Sequence, residues 1–306
     1  MVESGPVSHA GFARGGERLL TLGRFGDRSA LVAWDTRAWS RVWASEAEPD
    51  ARWLASLDEE AVITRDATHV RVWSMATGAF VVGFATDLDV RAPLPGGRVA
   101  ALRDVPLHLP DGTTRDEGTR VVVLDAGAGV IESHFALHAK VTGFVVDAEA
   151  RRALAIDADG LSVWDLGERR KRARLEGSGA AALFRPRSDE VVLAGSFADG
   201  HVPVVFDASS GARLGACRPP TATVAPCAAA AIGADGRWLV TSHGDQPDNH
   251  WFRDQLLCVW DLDARRCVRA VRLDGQGWPQ AIAVAKDHVV AVATGSALAV
   301  WELELP

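Results

Sequence analysis

The sequence predicts an all-β repeat protein, and three observations carry that prediction. One short pattern recurs along the chain: an apolar alternating run that ends in Trp or a substitute and is usually followed by an acid, as in Leu31-Val-Ala-Trp-Asp35, Leu161-Ser-Val-Trp-Asp165 and Leu257-Cys-Val-Trp-Asp261. The anchors of its seven copies, Trp34, Trp73, Leu124, Trp164, Phe206, Trp260 and Trp301, stand 39, 51, 40, 42, 54 and 41 residues apart. Between anchors the chain consists of short apolar runs punctuated by Gly and Asp turns, and no segment sustains a helical period. A base period near forty residues is the length of one four-stranded propeller blade. The expected fold is a seven-bladed β-propeller of four-stranded antiparallel blades.

The repeats run from one end of the 306-residue chain to the other, so a single domain is expected, with blades at 6–46, 50–86, 89–137, 140–176, 178–217, 223–274 and 279–306. The fourth is the clearest. Val141–Val146 reads as its first strand, Ala153–Ile156 as its second, Leu161–Leu166 as its third and Ala173–Leu175 as its fourth, joined by Asp- and Gly-rich turns. Blades three and five carry Leu124 and Phe206 at the anchor, so their layers should be thinner or packed differently. Blade seven shows three strands up to its anchor Trp301, so three readings stay open: an incomplete, imperfectly closed blade whose edge invites strand addition, a fourth strand from Glu302–Leu305, or a chain that is one part of a longer protein.

With its Trp-Asp endings at Trp34-Asp35, Trp164-Asp165 and Trp260-Asp261, and weaker forms at Trp73-Ser74 and Trp301-Glu302, the chain resembles the WD40 family over essentially its whole length. The Gly-His dipeptide of that family is absent, with Leu137-His-Ala-Lys140 the nearest relic. The resemblance implies that each anchor lies in the third strand of its blade, wedged between neighbouring sheets. It also implies a platform for binding proteins, with no catalysis.

Composition narrows the function. Net charge is −7, and the one dense basic run, Arg169–Arg172, has Glu168 and Glu176 beside it, so nucleic acid is not the expected partner. No apolar run is long enough to span a bilayer, and the first residues, Met1-Val-Glu-Ser-Gly-Pro6, have neither a basic nor an apolar leader region; a cytoplasmic protein is expected, with no membrane partner. The Ala- and Arg-rich composition points to a bacterial source. Cys217, Cys227, Cys258 and Cys267 lack zinc-site spacing and read as buried free thiols, with a Cys258 to Cys267 hairpin disulfide as the alternative. No phosphate loop or nucleophile elbow is present, so no enzyme, cofactor or metal is expected.

The two long steps between anchors both come from insertions between the second and third strands of a blade, at 104–118 and 243–254. In a propeller these loops leave on one face, and long loops on a rigid scaffold are where binding concentrates; neutral drift is the plain alternative. In the second insertion His243, Asp245, Asp248, His250 and Asp254 have ligand chemistry without a known ligand spacing, and they are equally ordinary turn formers. The expected partner anchors are Trp251 and Arg253, with His250, Asp248 and the neighbouring Trp278, because Trp and Arg anchor interfaces; the alternative is that Trp251 caps the blade core. His108 and Arg115 contribute from the first insertion, and Arg52, Arg91 and Lys140 sit at the entrances of first strands, to receive an acidic peptide or simply as solvated rim charges. The expected partner is another protein or peptide. The chain itself should be a monomer, or a weak oligomer through the blade-seven edge. A small ligand or metal at the channel mouth, possibly with enzymatic activity, is the competing reading.

Overall fold

The computed structural model describes residues 7–25, 28–48, 51, 53–57, 59–108, 114–137, 140–157, 160–179, 181–219, 225–245, 253–273, 279–285, 289–294 and 298–302; for some of these, 53–57, 106–108, 114–117 and 253–255 among them, it describes the backbone alone. They form twenty-seven strands in seven antiparallel sheets. The sheets are β1 Val7–Ala13, β2 Arg18–Phe25, β3 Arg28–Asp35 and β4 Ser40–Glu46; β5 Trp53–Leu57, β6 Ala61–Arg65, β7 His69–Ser74 and β8 Phe80–Ala85; β9 Asp89–Leu94, β10 Arg98–His108, β11 Thr114–Asp125 and β12 Ile131–Leu137; and β13 Val141–Val146, β14 Arg152–Asp157, β15 Gly160–Asp165 and β16 Arg170–Leu175. They continue with β17 Ala181–Phe184, β18 Glu190–Ala194, β19 Val204–Asp207 and β20 Arg213–Ala216; β21 Cys227–Ile232, β22 Trp238–Asp245, β23 Arg253–Asp261 and β24 Arg266–Arg272; and β25 Pro279–Val284, β26 Val289–Thr294 and β27 Leu298–Glu302. Every sheet is a meander of sequential neighbours, and the seventh has three strands among the described residues, as the short final repeat predicts.

One device repeats in the outer hairpin of the first six sheets. At Asp35, Ser74, Asp125, Asp165 and Asp261 the residue after the anchor caps the turn. Asp35 accepts the N–H groups of Arg37 and Ala38 at 3.0 and 2.9 Å, Asp125 those of Gly127 and Ala128 at 2.8 and 2.7 Å, and Asp261 those of Asp263 and Ala264, both at 3.0 Å. Five residues after the anchor the backbone turns left-handed, at Trp39, Gly78, Gly129, Arg169, Gly211 and Arg265. The register then slips by one residue just before the anchor, at Ala33/Trp34, Val72/Trp73, Val123/Leu124, Val163/Trp164, Val205/Phe206 and Val259/Trp260. A left-handed residue followed by a bulge is the usual way to close a hairpin longer than two residues. The acid of the repeat is therefore a turn former. Chiefly the Ala38 N–H holds the Asp35 carboxyl below the ordinary carboxylate range.

Residue contacts divide the chain into two compact units, Ala55–Glu176 with Ser209–Gly211, and the remainder. In the larger unit the first and last sheets share one core, in which Leu19, Val32 and Trp34 pack with Ala283, Ala291 and Leu298. A second core joins the fifth and sixth sheets through Val192, Val205, Leu239 and Trp260, and a third joins the sixth and seventh through Trp238, Val240, Val259 and Val290. The smaller unit packs the third sheet on the fourth through Leu102, Val121, Phe144 and Ala155, with Trp164 against them. In three of these cores an anchor packs with a neighbouring sheet: Trp164 with the third, Trp260 with the fifth, and Trp34 with the seventh across the chain ends. Burying an aromatic side chain of this size removes on the order of 150–250 Å² from water. The four cysteines are free, and burial pushes the Cys217 and Cys227 thiols up to about 12, which keeps them protonated and inert.

Candidate protein-interaction surface

The two insertions are built as extensions of strand pairs. In the third sheet β10 and β11 stay paired from Arg98↔Asp125 out to His108↔Thr114, so most of the 104–118 stretch is hairpin ladder where a loop was expected. In the sixth sheet the β22 and β23 ladder reaches Asp245↔Arg253. Cross-strand pairing makes these ladders, and neither stretch carries a local alternation that would announce it. Of the expected partner residues, His108, Arg115 and Arg253 lie on these ribbons by backbone. Arg52, Asp248, His250, Trp251 and Trp278 lie outside the described residues.

At the insertion-bearing end of the smaller unit the described charges pair in three separate groups. Asp89, at the start of β9, bridges Arg65 at the end of β6 and Arg91 on its own strand. Arg103 of β10 pairs with Asp87 at 3.0 Å, and both are well exposed. Asp66, in the turn between β6 and β7, is held by Arg71 at 2.5 Å. Burial alone would raise its carboxyl, yet Arg71 and the N–H groups of Thr68 and His69 outweigh that and hold it far below the usual range. Lys140 is exposed just ahead of β13. The structure thus brings Arg91 into an ion-paired rim, where it serves the sheet junction as well as any ligand.

Beside that rim runs an apolar groove that sequence reasoning did not place. It is an open depression of roughly 680 Å³ between the second and third sheets, bordered by Phe84, Leu88, Leu124, Gly129 and Ile131. Its cause is the anchor substitution, because Leu124 stands where sister sheets put an indole. Gly129 makes room for Phe84, whose ring would lie 2.8 Å from any added Cβ. Around it Phe80, Val81, Val130 and Ile131 are 56, 60, 59 and 49% exposed, the largest apolar exposure among the described residues. The substitution at Leu124 was the available clue.

The polar cluster of the second insertion resolves differently. His243 is buried within the sixth sheet, its Nε2 2.6 Å from Thr241 Oγ1 and its Nδ1 2.9 Å from the Ala225 carbonyl, and burial pushes its pKa down to about 4. Both nitrogens are committed to the fold, so His243 is a support of the Trp260 anchor and is withdrawn from any ligand set with Asp245 and His250.

No family model matches the chain, and no curated protein matches it. Among solved structures it is similar to the Cps50 (Swd1) β-propeller domain of Myceliophteria thermophila, with 15% identity, a TM-score of 0.69 and 99% of each chain covered. It is also similar to KlHsv2 with loop 6CD replaced by a Gly-Ser linker, at 11% identity and a TM-score of 0.67, covering 99% of this chain and 94% of that one. The fold is a seven-bladed WD40-type β-propeller. Such low identities speak to fold alone. Among the described residues of this WD40-type propeller an anchor indole donates to a second-strand threonine in three blades: Trp34 to Thr21 at 2.9 Å, Trp73 to Thr64 at 2.8 Å and Trp260 to Thr241 at 2.7 Å. In the fourth blade Trp164 turns to Ser162 on its own strand at 3.0 Å.

Proposed function

We propose that this propeller is a non-catalytic protein-interaction platform that binds through the ends of its second-to-third-strand hairpins. The observation that carries the reading is the β22 and β23 ladder, which runs on to Asp245↔Arg253 and so presents the connecting segment 246–252 from a paired ribbon. A ribbon anchored in a sheet limits the ordering entropy lost on association. The partner anchors are Trp251 and Arg253, with Asp248, His250 and Trp278, while His108 and Arg115 serve the hairpin of the third blade. Arg52, Arg91 and Lys140 add positive charge for an acidic partner segment. WD40-type propellers are typically scaffolds of this kind, and the buried polar groups Thr21, Thr64, Thr241, His243 and Asp261 are occupied with anchors and turns, which supports a structural rather than a chemical use of them.

The test is affinity capture from source-cell lysate with quantitative mass spectrometry, comparing wild type with Trp251→Ala/Arg253→Glu. A protein captured by the wild type and lost from the variant is expected; equal capture by both removes these anchors from the reading.

A further inference from the structure

The smaller unit contains a half-open cavity that the platform reading does not use. It lies between the third and fourth blades, beside the short turns and so at the other end of the strands from the hairpin extension of β10 and β11. Its volume is about 210 Å³, and its walls come from Leu94, Val123, Phe135, Phe144 and Leu166. Two arginines, Arg98 and Arg169, are among the residues that line it. A 150 Å³ apolar cavity is enough to take up benzene.

Two further observations set this place apart. Six non-glycine residues of the described chain have left-handed backbone, and two of them, Ala150 at φ 54° and Arg169 at φ 56°, line this one cavity. Sister outer turns place Gly78, Gly129 and Gly211 at the position of Arg169, while Trp39 and Arg265 hold the same left-handed conformation in two others. Non-glycine residues in this conformation cost on the order of 1–3 kcal/mol and gather at functional sites. The turn keeps an arginine at the cavity where glycine would fold more easily.

The second observation is electrostatic. Arg169 has no ion pair among the described residues, while its neighbours Arg170 and Arg172 are engaged by Glu168 at 2.5 and 3.1 Å. Arg98 donates Nε to the Pro95 carbonyl at 2.8 Å, and its Nη1 stands 3.9 Å from Glu132, beyond hydrogen-bond reach. Both side chains therefore keep donors for an anion. Apolar walls with two arginines in the lining match one ligand chemistry, a carboxylate on a compact apolar body.

We propose that this cavity binds a small amphipathic monocarboxylate, its apolar body among Phe135, Phe144 and Leu166 and its carboxylate on Arg98 and Arg169. The proposal stands apart from the platform reading, since it uses neither hairpin. Isothermal titration of the full chain with sodium octanoate tests it, with 1-octanol as the uncharged probe of the same body. Octanoate should bind one to one, and octanol should bind at least about tenfold more weakly, because a charge-assisted pair is lost.

Arg169→Gly should weaken octanoate at least about tenfold without lowering the melting temperature, because glycine suits the turn. Val123→Phe, which fills the cavity, should abolish binding. Absence of octanoate binding, equal affinity for octanol, or an Arg169→Gly variant that binds octanoate like the wild type would each overturn the proposal.

Discussion

Trp260 Nε1 donates to Thr241 Oγ1 across the sixth blade at 2.7 Å, and the same hydroxyl lies 2.6 Å from His243 Nε2. All three side chains are almost wholly buried, so the chain of bonds is shielded from water. Thr241→Val keeps the shape and deletes both bonds, leaving the indole N–H buried and unpaired. Urea unfolding should show a loss of about 1–3 kcal/mol. Trp260→Ala should lose more, about 3–5 kcal/mol, because an aromatic volume goes as well.

His243 also makes stability depend on pH. Its pKa is about 4 in the fold against 6.5 for the free side chain, so below pH 6.5 the unfolded chain binds a proton that the native chain refuses. This destabilises the fold as pH falls from 6.5 toward 4 and does nothing above 6.5. The cost at pH 5 relative to pH 7.5 is about 2 kcal/mol, from 1.36 kcal/mol per pKa unit. His243→Gln should flatten the difference by about that amount. Burial lowers the His9 pKa too, which leaves a residual dependence of the same sign.

Two left-handed glycines should respond differently to alanine. At Gly211, with φ 75°, an added Cβ would stand 2.4 Å from the Arg174 carbonyl oxygen, whereas at Gly97, with φ 73°, it would meet nothing within 4 Å. Gly97→Ala should cost about 1–2 kcal/mol for the backbone alone. Gly211→Ala adds a clash with main chain that cannot rotate away, so thermal melting should place it clearly below Gly97→Ala.

The outer strand β8, Phe-Val-Val-Gly-Phe-Ala, is an edge strand without a charge, whereas β4, β12, β16, β20 and β24 each carry at least one. Uncharged apolar edges invite strand pairing between molecules. Val81, at 60% exposure, can accept a charge without touching the core. Val81→Lys should therefore leave the melting temperature in place and reduce light scattering during a thermal ramp.

The anchors and their spacing told nearly everything about the fold, because an indole wedged between sheets needs the same strand pattern around it each time. Even the three described strands of the last blade could be read from the apolar runs around Val284, Val289 and Trp301. The site was less legible, for physical reasons. Asp104–Gly118 has the polar composition of a loop, yet cross-strand pairing makes it a ribbon, and pairing over ten residues of separation leaves no local periodicity. His243 has the chemistry of a ligand, and only its burial against Trp260 reveals a structural role. The groove at Leu124 and the cavity at Arg169 arise from what two neighbouring blades lack in common, which one strand cannot announce.

If, as proposed, the segment 246–252 carries the partner contacts while the sheets carry the fold, removing it separates the two. Replacing 246–252 by Asn-Gly closes the Asp245↔Arg253 pair with a two-residue turn suited to antiparallel strands. Melting and lysate capture of that variant, measured side by side with wild type, give the most direct test. The melting temperature should stay within about 2 °C of wild type, a shift of about 1 kcal/mol or less for a chain of this size, together with loss of the partner. Full capture by the shortened variant, or its failure to fold, would contradict the proposal.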